Sequence, residues 1–344
     1  MSDLSNRDQP IEPVEPIFRS GFVSLVGRPN VGKSTLVNNV VGRKVSIVSD
    51  KPQTTRTKIR GVHTTSSSQI VLLDTPGIHR PRTLLGERCN ERSVQTLREV
   101  DVVCLLVEAD SPIGPGDRFI ANLVKESRTP AILVVNKVDL ADAAAVAKRL
   151  SDSSGLADFA AFVPISALTG DGVDLLVAEI NARLPEGPEY YPGGVVTDQP
   201  EAVLVAELVR EKLLAIAREE LPHSIMVTAE AFEEEEQESF NRRGRKVEGA
   251  QDGAQEGSQV ASEDGESSAP EKEEILRFRV TIRVERDSQK GIVIGHKGSV
   301  LRDAGTAARV EAEQLLGARV YIENKVKVDP NWQRRGHALD RLGL

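Results

Sequence analysis

Aromatic residues make up only 3% of this 344-residue chain, and there are two cysteines, Cys89 and Cys104. No apolar run approaches the roughly 20 residues that a membrane-crossing helix needs. The cysteines lack metal-ligand spacing, so the plain expectation is a protein of a reducing, cytosolic compartment with free thiols. The polar, proline-spotted stretch from Met1 to Glu15 has no apolar signal-peptide core. No internal repeat is evident. At 39% hydrophobic, the composition suits two soluble domains.

The net charge of −8 is unevenly spread. Residues 233–274 carry 14 acidic and 5 basic side chains, a net of −9, whereas residues 275–344 carry 14 basic and 8 acidic, a net of +6. The remaining front is mildly acidic. A basic tail in an acidic protein points to an anionic partner for that tail.

From residue 21 onward, short aliphatic runs alternate with amphipathic stretches. Phe22–Val26, Ile70–Leu73, Val102–Val107, Ala131–Val135 and Phe162–Ile165 read as strands buried on both faces, with helices as crossovers. The expected fold is α/β, a doubly wound domain over 20–185 whose ligands sit beyond the carboxyl ends of the strands. A proline- and glycine-rich linker follows at 186–201, and a second, α+β domain spans 202–344. A helix is expected at 202–217, strands at 225–232 and 276–284, a helix at 299–316 and a strand at 320–328. Residues 1–19 read as a disordered tail. Residues 233–274, nearly devoid of large apolar side chains, read as a disordered insertion in a hairpin connection.

The chemistry gathers at the strand ends. Gly27-Arg28-Pro29-Asn30-Val31-Gly32-Lys33-Ser34, followed by Thr35, matches G-x-x-x-x-G-K-[ST] between a strand and a helix. Its backbone amides converge on phosphate, Lys33 brings positive charge to the outer phosphates and Ser34 offers a hydroxyl to Mg²⁺. Asp74-Thr75-Pro76-Gly77, with Ile78 next, supplies a carboxylate for Mg²⁺ and a glycine amide for a terminal phosphate. Asn136-Lys137-Val138-Asp139 chooses the base. Asp139 can accept from guanine N1–H and N2–H₂, and a buried carboxylate left facing adenine would be unpaired at a cost of several kcal/mol. Ser166-Ala167-Leu168 is placed for a backbone amide to meet guanine O6. Four motifs in this order imply GTP or GDP with Mg²⁺.

GRPNVGKST (27–35), QTTR (53–56), DTPG (74–77), NKVD (136–139) and SAL (166–168) resemble the translation-factor-related GTPases, and the Era family in particular. The resemblance runs from about residue 20 to 344, outside 233–274. It implies that QTTR is the first switch and that a threonine there ligates Mg²⁺ in the GTP state, assigned to Thr55 with Thr54 as the alternative. Lys33, Thr55 and Gly77 are the expected catalytic residues; Ser34, Thr55 and Asp74 are the expected metal ligands. Ile78 stands where Ras-like enzymes carry the glutamine that orients water, so slow intrinsic hydrolysis is expected, with water positioned by backbone groups, a cation or a bound partner. His63 and His79 read as solvated loop histidines.

In the second domain an apolar run enters Gly295-His296-Lys297-Gly298, a G-x-x-G loop before a helical pattern. The element order resembles the prokaryotic-type KH fold, whose loop holds the backbone of about four nucleotides. Lys297 adds charge, Arg302 belongs to the expected RNA site, and Arg309, Lys325 and Lys327 are candidates for the phosphate path. The scarcity of aromatics argues against an RRM-type stacking sheet. The resemblance further implies the 3′ end of 16S ribosomal RNA, the 30S subunit and its assembly, a monomer, a cytoplasmic location and peripheral contact with the inner membrane. Competing readings are an RNA-binding GTPase away from the ribosome, a GTP-bound adaptor without turnover, and a P-loop metabolic ATPase or kinase with a protein-binding tail. A single G-x-x-x-x-G-K-[ST] excludes a double-GTPase ribosome factor.

Overall fold

The computed structural model describes residues 17–51, 54–56, 58–79, 81, 83–216, 224–233, 275–341 and 343–344. Most of the expected N-terminal tail and of the acidic insertion, like Gln53 of the first switch, lies outside the described residues.

The first unit is a six-stranded sheet flanked by helices. Its strands are β1 (Arg19–Val26), β2 (Ile59–Thr64), β3 (Ser68–Asp74), β4 (Val102–Glu108), β5 (Ala131–Asn136) and β6 (Ala161–Pro164), in the order β2-β3-β1-β4-β5-β6. All pairs are parallel except β2 with β3. The helices are α1 (Lys33–Val41), α2 (Leu84–Leu97), α3 (Pro115–Ser127), α4 (Ala143–Ser154) and α5 (Val173–Asn181). Alternate strand residues feed two cores. Val23, Leu25, Ile70 and Leu72 pack with α1 and α5, while Val26, Val71, Leu73, Leu105 and Val135 pack on the opposite face. Burial on both sides explains why β3, β4 and β5 read as unbroken aliphatic runs; β6, expected to be buried likewise, is an edge strand that leaves Phe162 43% exposed.

Strand β2 was not legible as a strand, because Ile-Arg-Gly-Val-His-Thr carries only two large apolar residues. It is added antiparallel at the sheet edge, with His63 opposite Ile70. His63 is therefore a half-buried strand residue and not a loop histidine, and burial lowers its pKa. Segment 186–201 is strapped to the same side of the sheet. Gln69 binds the Tyr190 and Tyr191 amides at 2.7 and 3.0 Å and the Tyr191 carbonyl at 2.8 Å. The Val62 amide donates to the Val196 carbonyl at 2.8 Å.

The second unit contains α6 (Glu201–Ile216), β7 (Met226–Ala231), β8 (Ile275–Val284), α7 (Asp287–Ile294), α8 (Ser299–Leu316), β9 (Arg319–Val328) and α9 (Gly336–Arg341). The sheet order is β7-β8-β9, antiparallel then parallel. Phe278, Val280, Ile282 and Val284 of β8 point toward α6 and α8, packing with Leu208, Val209, Ala304 and Ala308. Burial of this face stabilises the unit at roughly 25 cal/mol per Å² of apolar surface.

A small fourth cluster joins the units. Leu85 and Cys89 of α2 meet Met226, Trp332, Ala338, Leu339 and Leu344. The chain's single tryptophan is fully buried there, its indole N–H donating to the Ser224 carbonyl at 3.0 Å.

Candidate nucleotide and RNA sites

The order of the first sheet reverses between β3-β1 and β4, the place where α/β sheets open a crevice for ligands. The loop after β1 turns there into α1 through Gly32, whose φ of 96° is left-handed. A Cβ at Gly32 would lie 2.2 Å from Asn136 Nδ2, so close approach as well as backbone conformation demands glycine. Asn136 holds the site together: its Nδ2 donates to the Val31 carbonyl at 2.7 Å, and its Oδ1 accepts from the Ala167 amide at 2.9 Å. One buried carboxamide thus ties the phosphate loop to the loop after β6.

These segments line an open pocket of 390 Å³ that includes Lys33, Ser34, Thr55, Gly77, Asn136, Asp139 and Leu168. Lys33 is buried, with Nζ donating to the Gly27 and Arg28 carbonyls at 3.2 and 2.9 Å. Burial lowers its pKa to about 8 against the opposing pull of Asp74. A phosphate oxygen beside the ammonium would favour the charged form again.

Asp74 sits at the centre of a cluster of oxygens. Its Oδ2 accepts from Ser34 at 2.7 Å, Ser46 at 2.7 Å and Thr55 at 3.2 Å, and Ser34 and Thr55 Oγ atoms lie 3.2 Å apart. Burial raises the Asp74 pKa, opposed by the Ser46 and Ser34 hydrogen bonds and by Lys33. Asp74 Oδ1 is buried and has no hydrogen-bond partner among the described residues. Such an orphaned carboxylate oxygen among hydroxyls is a donor set suited to a hard cation whose shell is completed by water and phosphate. Thr54 is turned elsewhere, its hydroxyl donating to the Lys51 carbonyl at 2.6 Å.

At the base end, Asp139 lies in a single helical turn, Val138–Leu140, that Lys137 enters with a φ of 66°. Asp139 is exposed. A bound base would desolvate this carboxylate, which is where the discrimination expected from sequence would act. Leu140 and Leu168 are 63% and 75% exposed and both line the pocket, offering apolar walls to a purine. Ser166 is buried, and its hydroxyl caps the loop by accepting from the Thr169 amide at 3.2 Å. Thr75 hydrogen-bonds the Leu25 carbonyl at 2.9 Å. Gly77 lies against Pro29, and Ile78 is buried in the core. His79 Nδ1 donates to the Gly77 carbonyl at 2.9 Å, which occupies that nitrogen in holding the loop.

Arg28 departs from expectation. Its Nε lies 2.9 Å from buried Asp117 and its Nη2 donates to Glu108 at 3.3 Å, so it braces the pocket wall. Glu108 also pairs with Lys137. Glu108, Asp117 and Ser46 were missed by sequence reasoning. Glu108 ends β4, and its position at a carboxyl strand end was the available signal; nothing local singled out Ser46.

In the second unit Gly295 (φ 74°), Lys297 (φ 49°) and Gly298 (φ 77°) form a tight turn between α7 and α8. A Cβ on Gly295 would lie 2.5 Å from Val300. His296 and Lys297 are exposed, and Ile292 presents 57% of its surface beside them. Arg302 stands exposed in the first turn of α8, near Asp303 at 3.6 Å. A helix start with adjacent positive charge suits a sugar-phosphate backbone. Arg309 is engaged by Glu313 at 2.8 Å. Lys325 and Lys327 alternate with inward-facing Val326 and Val328, and so lie on the sheet face away from the helices. They cannot line a path beside the loop.

Two families match the chain: one described as 50S ribosome-binding GTPase over residues 22–137, and one described as KH domain over 265–333. GTPase Era of Nocardioides sp. is 46% identical over 336 residues, covering 96% of this chain and 97% of that protein. GTPase Era of Mycobacterium tuberculosis is 46% identical over 331 residues, covering 95% and 99%. The chain belongs to the Era family of GTPases. A crystal structure of an Aquifex aeolicus Era variant bound to GDP·AlF4⁻ superposes with a TM-score of 0.80 at 36% identity, covering 95% of this chain and 99% of that one. Era in complex with MgGDPNP and nucleotides 1506–1542 of 16S ribosomal RNA gives 0.79 at 36% identity, with the same coverage.

In this Era-family chain the segment Thr54–Arg56, expected to belong to the first switch, is held by the second unit. Arg210 of α6, 1% exposed, donates to the Thr54 carbonyl and pairs with Glu207. Arg56 donates to the Ile225 carbonyl at 2.5 Å, and its guanidinium lies 5.6 Å from the centre of the Trp332 ring. Burial, with the charge of Arg210, lowers the Arg56 pKa to about 9. Farther along, Glu211 accepts from the Val48 amide at 2.9 Å and from Lys44 at 2.6 Å.

Proposed function

We propose that the chain hydrolyses GTP to GDP and phosphate, and that its nucleotide state sets how the C-terminal unit engages the 3′ end of 16S ribosomal RNA during assembly of the 30S subunit. The observation that carries this reading is the segment Thr54–Arg56. Thr55 reaches Asp74 and Ser34 at the phosphate end of the pocket, while the residues on either side are gripped by Arg210, Ile225 and Trp332 of the C-terminal unit. A change in what Thr55 binds therefore changes what Arg210 and Arg56 hold. Such a two-state element is what coupling between sites requires. The relative that carries MgGDPNP together with a 16S ribosomal RNA segment supports the same pairing of ligands.

In this reading the P-loop, residues 27–35, cradles the phosphates. Lys33 and the Gly77 amide meet the charge that develops on the transferred group. Ser34, Thr55 and Asp74 would hold Mg²⁺, which supplies charge neutralisation on the phosphate oxygens when bound. Thr55 is preferred to Thr54 because only its hydroxyl reaches the Asp74 cluster. Asp139 selects guanine, Leu140 and Leu168 flank it, and the O6 contact falls to the Leu168 amide because the Ala167 amide is committed to Asn136. Buried Ile78 offers no group to orient water, so intrinsic turnover is slow. The cytoplasmic location, the monomeric state and peripheral membrane contact belong to the same proposal and rest on the family resemblance.

The deciding experiment measures phosphate release and RNA affinity together. RNA affinity is expected to differ between the GDP-loaded and GTP-analogue-loaded protein, and phosphate release to be slow without RNA. Equal RNA affinity in both nucleotide states would remove the coupling. Displacement of labelled GDP by ATP as readily as by GTP would remove the guanine assignment.

A further inference from the structure

We infer that the outward face of the three-stranded sheet is a second RNA surface, taking sugar-phosphate backbone beyond the nucleotides held at the Gly295–Gly298 loop. The inference rests on the reading of the C-terminal unit as RNA-binding and extends it to a different face of the fold.

Strand alternation builds the surface. With Phe278, Val280, Ile282 and Val284 turned to the helices, Arg277, Arg279 and Arg283 of β8 face away from them. The same alternation turns Arg319, Lys325 and Lys327 of β9 outward. The only carboxylates on the outward positions of the three strands are Glu230 and Glu323, so six cations against two anions leave a net of +4 on a protein of net −8. Glu230 and Glu323 both go to Arg279, at 3.8 and 3.1 Å.

Among the described residues Arg283, Lys325 and Lys327 have no such carboxylate partner. The register sets Arg283 directly opposite Lys327, a like-charged cross-strand pair that destabilises a sheet unless an anion lies between its members. Arg283 donates to the neutral Thr228 hydroxyl, at 2.9 Å. Among the described residues Lys325 and Lys327 make no ion pair. Asp329, at the end of β9, is taken by Arg335. Thr228, Thr281, Arg279, Arg283 and Lys327 line a concavity of 300 Å³ on this face together with Glu230 and Asp329; those two carboxylates pair with Arg279 and Arg335, which leaves Arg283, Lys327 and the two hydroxyls to meet phosphate groups.

Two features favour RNA over an acidic peptide. Phe232 and Tyr321 stand on the same face with ring centres 6.4 Å apart, and Arg279 and Arg277 lie over them at 4.7 and 5.7 Å. Flat rings and guanidinium planes beside a phosphate-binding concavity can take unpaired bases as well as backbone. Moreover, β9 is an edge strand, so its lysines border the route by which a chain leaving the helix side would pass round the sheet.

The test uses the full chain and two RNAs from the 3′ end of 16S ribosomal RNA: a single strand of about six nucleotides, sized for the loop, and one of about forty that contains it. Lys325→Gln with Lys327→Gln is expected to leave the short RNA bound as in the wild type. It should weaken the long RNA roughly tenfold and flatten its salt dependence by about 0.7 in slope for each phosphate that is no longer neutralised. Neither lysine has an ion pair to lose among the described residues, so the melting temperature should stay unchanged. Wild-type affinity and salt slope for the long RNA in this variant would overturn the inference. His296→Asp with Lys297→Asp tests the underlying reading separately: it should abolish binding of the short RNA. A wild-type protein that binds neither RNA in any nucleotide state would overturn that reading as well.

Discussion

Replacing Arg210 with methionine probes the link between nucleotide and RNA most directly. Arg210 is 1% exposed and connects the Thr54 carbonyl to Glu207 of its own helix. Methionine keeps the helix propensity and most of the stem volume but removes the charge and both hydrogen-bonded partners. A hydrogen bond to a charged group contributes about 1.5–3 kcal/mol, and stranding a partly buried carboxylate costs a further fraction of that. Two terms act the other way: relief of the repulsion between Arg210 and Arg56, which helps lower the Arg56 pKa, and the retained packing. A loss of about 2 kcal/mol in the hold on the switch is the resulting expectation, close to a thirtyfold change in an equilibrium constant. Thr55 is expected to act in the GTP state, so the loss should fall on GTP-analogue affinity while GDP affinity stays within a few-fold. The ratio of RNA affinities between the two loaded states should shrink by no more than the same factor, since a ligand shifts an equilibrium only by its differential affinity. Fluorescent-nucleotide titration with each analogue, alongside RNA binding by anisotropy, reads both quantities. If the variant melts like the wild type and keeps both ratios, the switch is not controlled through Arg210 and the reasoning fails.

Further outcomes follow from the same geometry. Asp139→Asn should weaken GTP by about 2–3 kcal/mol and favour xanthosine nucleotides; an unchanged preference in competition binding would show that Asp139 does not read the base. Asn136→Ala strands the buried Val31 carbonyl and Ala167 amide, at about 1–3 kcal/mol for each unsatisfied group; both GDP affinity and melting temperature should drop, and a loss in only one would divide the structural role from the binding role. His63 has its pKa lowered by burial, so its contribution to stability is complete above its ordinary pKa near 6.5 and declines as pH falls from there. His63→Gln should flatten the stability profile of the wild type in that acidic window, as followed by urea midpoints at several pH values.

The legible parts of the fold were those where one physical demand dominated a short stretch. Strands buried on both faces had to be aliphatic, and the loop after β1 needed glycine at Gly32 both for its φ and for the approach of Asn136. The helix at 299–316 coincided with α8, since α8 ends at Gly317 in a left-handed conformation. Strand β2 escaped because an edge strand with one wet side needs few apolar residues. His63 was misplaced with it. Lys325 and Lys327 were misassigned for a related reason: charge is visible in sequence, but the face that carries it depends on strand pairing.

By itself the sequence determined that guanine nucleotide and phosphate are the ligands of the first unit, because recognition there depends on residue types at short spacings along single loops. Only the tertiary structure decided that Glu108 braces Arg28 and Lys137, that Ser46 joins the Asp74 cluster, and that Arg210 and Trp332 grip Thr54 and Arg56. Those partners lie far apart in the chain. Their meeting depends on how two separately packed cores dock, a question of surface shape and desolvation that no local pattern encodes.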